Sequence, residues 1–200
     1  MQDIETGSLW SQVSGKAIQG KLENKELILF PSTQTTFAEF KKLYPDGKLL
    51  KKNTKGFPNS YYESYFRDRT KLGVLGRVDN FSRLKGKEMI IGVRDSYSQV
   101  AVTKKYLKRK KICHIKKLEV LVSLDKESNS ISVFDVSLYG EKAKFKYNNN
   151  MILLEKSDIS WNSKTGKLLS GDSKNLEIKP FTTAYWFAWT SFFPDSKLIK

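Results

Sequence analysis

Four polar side chains near the start, Asp3, Glu5, Ser8 and Gln12, come nearest in type and spacing to a reactive or ligand-binding set. If residues 3 to 5 are extended, both carboxylates point to one side. Such a pair can exchange protons, hold a hard cation or accept hydrogen bonds from a sugar hydroxyl. The plainer reading is a polar strand edge running into a Thr6-Gly7-Ser8 turn, and two carboxylates so close in sequence are a weak motif. Cys113 and His114 are the sole thiol and the sole imidazole. Neighbouring strand positions face opposite ways, so the two do not make a nucleophile–base pair with each other. One histidine and one cysteine assemble no cysteine–histidine zinc site within the chain. Flanked by Ile112 and Ile115, Cys113 reads as a buried structural residue. No phosphate loop, dinucleotide fingerprint or Gly-x-Ser-x-Gly elbow occurs. The sequence therefore assigns no catalytic residue, no metal and no cofactor.

The elements that would position these groups come in two similar sets. Trp10, Gly15 and Gly20 are matched by Trp161, Gly166 and Gly171 at an offset of 151. Further on, Phe37, Phe40, Pro45 and Asp46 are matched by Trp186, Trp189, Pro194 and Asp195 at an offset of 149. A repeat must be recognised before other features are read, because it constrains the whole fold. Residues shared by both copies are assigned to the scaffold: a buried Trp contributes large apolar area, Gly permits a tight turn, and Asp after Pro bonds the turn backbone. Asp3, Glu5, Ser8 and Gln12 have no like counterparts, the matching positions being Leu154, Lys156, Ile159 and Ser163. They are thus the candidate ligand-binding set. The later copy has a long upstream part and the earlier one begins almost at its Trp, so the sequence reads as a piece of a longer protein.

Thr36-Phe-Ala-Glu39 has capping-box spacing, and Phe37, Phe40 and Tyr44 form one apolar stripe on a short helix. Glu26 to Phe30 and Lys48 to Leu50 read as strands on either side of it. In the second copy Thr182 or Thr183 caps a helix carrying Trp186, Trp189 and Phe193. Both copies thus predict strand, helix, Pro-Asp turn, strand. Between them, strands are expected at 89–93, 99–103, 118–124, 131–136, 142–147 and 151–154, paired as hairpins. Asn148-Asn149-Asn150 is a strong turn signal, because asparagine tolerates left-handed backbone angles. Residues 53 to 87 read as connecting loops with one strand near Gly73 to Val78. The predicted class is α+β, mainly β, with antiparallel sheets, two short aromatic helices and two pseudo-repeated halves. The divisions are 1–55 for the end of the first half, 56–87 for a connector and 88–200 for the second half, all within one compact domain.

Composition narrows the functional classes. The chain has 200 residues and a formal charge of +15, but only six of its 36 basic residues are arginine. Basic charge attracts phosphate in a salt-sensitive way, whereas arginine is the usual reader of base edges. The run Lys104 to Lys111 is either a phosphate-facing patch or a solvated helix or strand edge, and the second is the simpler reading. No zinc-finger, RRM or helix-turn-helix pattern supports nucleic-acid recognition, which is possible but not favoured. No run reaches the length of a transmembrane helix, and the first residues lack the basic-then-apolar pattern of a signal peptide.

Asp3-Ile-Glu5-Thr6-Gly7-Ser8-Leu-Trp10, then Gly15 to Gly20, and finally Trp186-Phe-Ala-Trp189-Thr-Ser-Phe-Phe193-Pro194-Asp195 resemble the bacterial family known as domain of unknown function 3179. The resemblance touches most of the chain. Family members carry an upstream half with a Cys-Pro-x-Cys segment, which this sequence lacks, and a tyrosine-rich segment loosely echoed by Tyr61-Tyr62-Glu-Ser-Tyr65. It implies a fold but no reaction, and it implies the periplasm or cell envelope, since members are often exported. The first expectation is a non-catalytic ligand- or partner-binding domain of an exported bacterial protein. The alternatives are a hydrolase-like enzyme using the Asp3/Glu5 region and a lysine-rich nucleic-acid-binding domain.

Overall fold

Short strands joined by tight turns dominate the chain, as its Asn- and Ser-rich connections require. A computed structural model describes residues 1–33, 35–51, 59–73, 83–125 and 127–200, with side chains at 59–62 left aside. In chain order the elements are β1 (Leu9–Trp10), β2 (Ala17–Gln19), α1 (Phe37–Leu43), α2 (Asn59–Arg67), β3 (Met89–Arg94), β4 (Gln99–Thr103), α3 (Lys104–Lys110), β5 (Ile112–Ile115), β6 (Val120–Leu124), β7 (Ile131–Asp135), β8 (Phe145–Asn148), β9 (Met151–Leu154), β10 (Ser160–Asn162), β11 (Leu168–Ser170), β12 (Thr182–Tyr185), α4 (Trp186–Thr190) and β13 (Lys197–Ile199). The fold is α+β and mainly β, with antiparallel pairing everywhere except β13, which runs parallel to β4.

Alternation along the strands dictates the layering. Three sheets have the orders β12-β3-β4-β13, β5-β6-β7 and β11-β10-β9-β8. Ile91, Val93, Val100 and Val102 turn one way from the first sheet and pack on Cys113, Ile115, Val120, Val122 and Val133 of the second. Their neighbours Ile90 and Ala101 turn the other way, onto Trp186 and Trp189 of α4. The far face of the second sheet, Leu121 and Phe134, packs on Ile152 and Trp161 of the third. The order is therefore α4, sheet, sheet, sheet. Each fully buried aliphatic side chain in these layers contributes about 1.5–3 kcal/mol. Gly92 makes room for the helix: a Cβ there would lie 2.1 Å from Cζ3 of Trp189.

Local chemistry explains the hairpins. Asn149 and Asn150 both have positive φ, 44° and 62°, and close the two-residue loop between β8 and β9. The Asp95 carboxylate accepts the Tyr97 and Ser98 amides and shapes the β3–β4 turn. Thr103 ends β4 and caps α3 by accepting the Tyr106 amide, so the basic run is a helix with only Leu107 buried.

Several expectations need correction. Residues 53–87 are not all loop, because 59–67 forms α2. Its carboxyl end is held by buried Lys87, whose ammonium meets the carbonyls of Tyr65 and Asp68, where the helix leaves acceptors unpaired. The strand expected near Gly73 to Val78 lies, beyond Gly73, outside the described residues. Neither Glu26–Phe30 nor Lys48–Leu50 is a strand; 26 makes only an isolated bridge to Lys16. In the second half Thr182 and Thr183 lie within β12 rather than capping α4, and Tyr185 takes the N-cap position without a side-chain bond. Both differences follow from pairing: β12 and β13 are ordered by β3 and β4, and segments 26–30 and 48–50 have no comparable neighbour.

Candidate functional site

Asp3 is not on an extended segment. Residues 4–6 turn, and the Asp3 amide donates to the Ser8 carbonyl. The Asp3 carboxylate accepts the Trp10 indole N–H at 2.9 Å, the Thr6 amide at 2.6 Å and the Thr6 hydroxyl. With the Thr6 hydrogen committed to Asp3, the Ser8 hydroxyl donates to Thr6 Oγ1 and accepts the Leu22 amide. The Trp10 bond and then the Thr6 bonds hold the Asp3 carboxyl at about 2. Ser8 is fully buried, whereas Glu5 and Gln12 are exposed. The structure thus joins Asp3 and Ser8 through Thr6, which the candidate set omitted, and leaves Glu5 and Gln12 in solvent. An Asp-x-x-Thr-x-Ser-x-Trp spacing carries this knot, and its signal in the sequence was the Thr between the two chosen residues.

The matching turn in the second half has the same backbone without the polar knot. Leu154 donates to the Ile159 carbonyl, as Asp3 does to Ser8. Strand pairs Leu9/Gln19 and Trp10/Ala17 correspond to Ser160/Ser170 and Trp161/Leu168, each with an irregularity just before the Trp. Gly15 and Gly166 have φ of 71° and 70° and donate to Ser11 and Asn162. Trp161 is completely buried and gives its N–H to the Lys174 carbonyl, with Tyr139 5.2 Å away across an edge contact. Trp10 is half-buried and gives its N–H to Asp3 instead.

Cys113 and His114 point to opposite sides of β5, as strand geometry demands. Cys113 is buried between sheets, and burial pushes its thiol up to about 11, far from a reactive thiolate. His114 stands edge-on to Phe145, with ring centres 5.1 Å apart. Burial lowers its pKa against the opposing pull of the Ala143 backbone, and Nε2 is buried without a hydrogen-bond partner among the described residues. His114 belongs to the wall of a cleft of about 600 Å³ between the β4–β13 edge and β5. Val100, Ile115 and Ile199 give that cleft apolar surface, while Lys116, Lys117 and Lys197 bring three ammonium groups. Glu141 and Asp195 add two carboxylates, and exposed Tyr97 stands at the margin. Sequence reasoning missed these lysines because they sit in two short segments about 80 residues apart, joined only by sheet packing.

A second polar cluster fastens α1 to the later half. Lys164 lies 2.7 Å from Glu39 and 3.5 Å from Asp125, all three largely buried. Ser128 Oγ is 2.6 Å from both Asp125 Oδ1 and Ser130 Oγ, and Ser130 Oγ is 2.6 Å from Thr35 Oγ1. Burial alone would raise the Asp125 carboxyl, but the Ser128 bonds and Lys164 outweigh it and hold the group low. Burial works against the Lys164 ammonium too, and Glu39 with Asp125 more than restores it. Thr36 caps α1 through the Glu39 amide, as its spacing predicts, but the Glu39 carboxylate goes to Lys164. One ammonium bridges two carboxylates that come from different parts of the chain, which is the chemistry of a fastening rather than of a reactive site.

Among the described residues no three His, Cys, Asp or Glu side chains gather to hold a metal ion, and no helix is long and apolar enough to cross a membrane. The family described as "Protein of unknown function (DUF3179)" matches residues 1–196. The chain belongs to the DUF3179 family. No curated protein and no solved structure matches it. Within this DUF3179 chain the match covers both Trp hairpins, Lys116 and Lys117 of the cleft but not Lys197, and the Glu39–Lys164–Asp125 cluster.

Proposed function

We propose that this DUF3179 chain is a non-catalytic binding domain whose ligand site is the cleft walled by His114, Lys116, Lys117 and Lys197. The observation that carries this reading is that three lysines line one concave, partly apolar surface. Binding sites of small molecules combine apolar walls with a few placed polar groups in this way. The ligand class that fits is a small anion bearing an apolar portion: lysines take the charge, Val100, Ile115 and Ile199 take the apolar part, and Glu141 or Asp195 accepts a donor. The Asp3 knot does not enter the site, because its carboxylate is already occupied, which counts against the hydrolase-like alternative. The α3 lysines and arginine stand on one exposed helix with Leu107 beneath, which supports charge attraction and not base reading. Residues 1–55 are taken as the end of a first half-repeat, 56–87 as a connector and 88–200 as the second half-repeat within a single domain, on the support of the matched hairpins. The bacterial, exported setting rests on the family resemblance.

Equilibrium binding of phenyl phosphate to the whole chain tests the reading. Wild type should bind measurably, and Lys116→Ala combined with Lys197→Ala should weaken it by about tenfold, the two lysines being exposed and dispensable for folding. Equal binding by the double variant, or inorganic phosphate binding as tightly and vanishing in moderate salt, would reduce the interaction to net charge.

A further inference from the structure

In the second half, α4 is bracketed by β12 and β13, and between those outer strands lies the hairpin β3–β4. β12 pairs antiparallel with β3, and β13 pairs parallel with β4. This hairpin covers the helix: Trp186 and Trp189 are 0% and 1% exposed against Ile90 and Ala101. The first half reproduces the surroundings of such a hairpin at an offset of 149. Leu27 donates to the Gly15 carbonyl as Leu176 does to Gly166. Thr36 takes the N-cap of α1 as Tyr185 takes that of α4, and a Pro-Asp turn follows each helix.

What differs is the cover. Thr33, Thr35, Thr36 and residues 48–50, which match positions of β12 and β13, pair with no strand among the described residues. No residue of α1 is buried. Phe37, the match of Trp186, is 58% exposed; Leu49 and Leu50, the matches of Leu198 and Ile199, are 65% and 88% exposed. Leu27, Ile28, Leu29 and Phe30, upstream of α1 in the chain, are exposed as well. Exposed apolar side chains in this number mark an interaction site, and unpaired backbone in the same segments invites an added strand. Exposed Lys41, Lys42, Lys48 and Lys51 on α1 and the segment after it supply a lysine rim, with Lys41 over the Phe37 ring.

We propose that the first half is an acceptor for an antiparallel β-hairpin, seated where β3–β4 sits in the second half. One strand of that hairpin lies antiparallel to 33–36, the other parallel to 48–50, and its face toward α1 is apolar. The lysine rim selects acidic residues at the hairpin's margins. This is strand addition, in which main-chain bonds supply affinity and alternate side chains supply specificity. The proposal is independent of the cleft on the other side of the sheet system.

The test uses the whole chain carrying, on a flexible Gly/Ser linker at its amino end, an extra Glu88–Lys104 segment. In that extra segment Ile91→Thr, Val93→Thr, Val100→Thr and Val102→Thr leave only the α1-facing side apolar. Hydrogen exchange at the amides of Thr33, Thr35, Thr36, Leu49 and Leu50 should slow by tenfold or more. A control fusion with Ile90→Asp in the extra segment should show no slowing. Protection at Val122 and Leu124 reports that the host remains folded, and the same hairpin added as a free peptide to the unmodified chain gives a second route to the result. Unchanged exchange in both the fusion and the peptide experiment overturns the proposal. So does protection of these amides in the unmodified chain accompanied by a dimer in sedimentation, since a second copy would then be the cover.

Discussion

Asp3 shows how a residue can look reactive in sequence and be spent in structure. Two carboxylate oxygens meet an indole, an amide and a hydroxyl, and those donors stabilise the ionised form in the fold but not in the unfolded chain. Its pKa falls from 3.8 to about 2. A depressed folded pKa stabilises fully above the unfolded value and is lost as pH drops through the folded one. Asp125 and Asp135 are lowered as well. Chemical denaturation should therefore show stability falling from about pH 4 toward pH 2, and Asp3→Asn should flatten that fall while lowering stability at pH 7. His114 acts in the same sense at a higher window: with its pKa held down by burial, protonation below about 6.5 opposes folding. Gly92 makes a sharper residue-level case. Gly92→Ala should cost about 1–3 kcal/mol or more in denaturant midpoint analysis, because the added methyl collides with the Trp189 ring. A stability equal to wild type would mean that α4 does not sit where described.

At the scale of elements, turns and the hairpins β3–β4, β6–β7 and β8–β9 were legible, whereas the pairing of strands distant in sequence was not. Asn149, Asn150 and Thr36 act through their own backbone neighbourhood, so the sequence around them suffices. Strands need a ladder partner, and the apolar runs at 26–30 and 48–50 have the composition of strands without the neighbour that makes one. The α2 helix escaped notice for the opposite reason: its carboxyl end depends on Lys87, about 20 residues later. Of the candidate site, the Asp3–Ser8 pair was legible by its lack of a counterpart, whereas the Thr6 link required the turn to be seen. The Glu39–Lys164–Asp125 cluster predicts how α1 is fastened. Lys164→Met leaves Asp125 buried without its cation and should cost about 3 kcal/mol. Exchange in α1 should then quicken by at least tenfold while β6 and β7 stay protected. Equal loss across all elements would show that the cluster supports the core and not the docking of one helix.

The whole molecule combines two matched hairpins with unequal surroundings. In the second half α4 and Trp161 are buried, and its sheet edge forms the cleft with β5. The first half shows the same local backbone around Trp10 and Gly15 yet buries no residue of α1. The likeness of the two Trp hairpins was readable, because Trp and Gly recur at a fixed offset, and both hairpins share the pairing and the positive-φ glycine. The cleft was not, because Lys116, Lys117 and Lys197 meet only through the packing of two sheets. The proposed function therefore rests on what this cleft holds. Amide shift mapping of the whole chain with phenyl phosphate decides it most directly. The account predicts saturable shifts confined to Tyr97–Val100, His114–Lys117 and Lys197–Ile199. Shifts that never saturate, or that centre on Lys104–Lys111 of the basic helix, would contradict it.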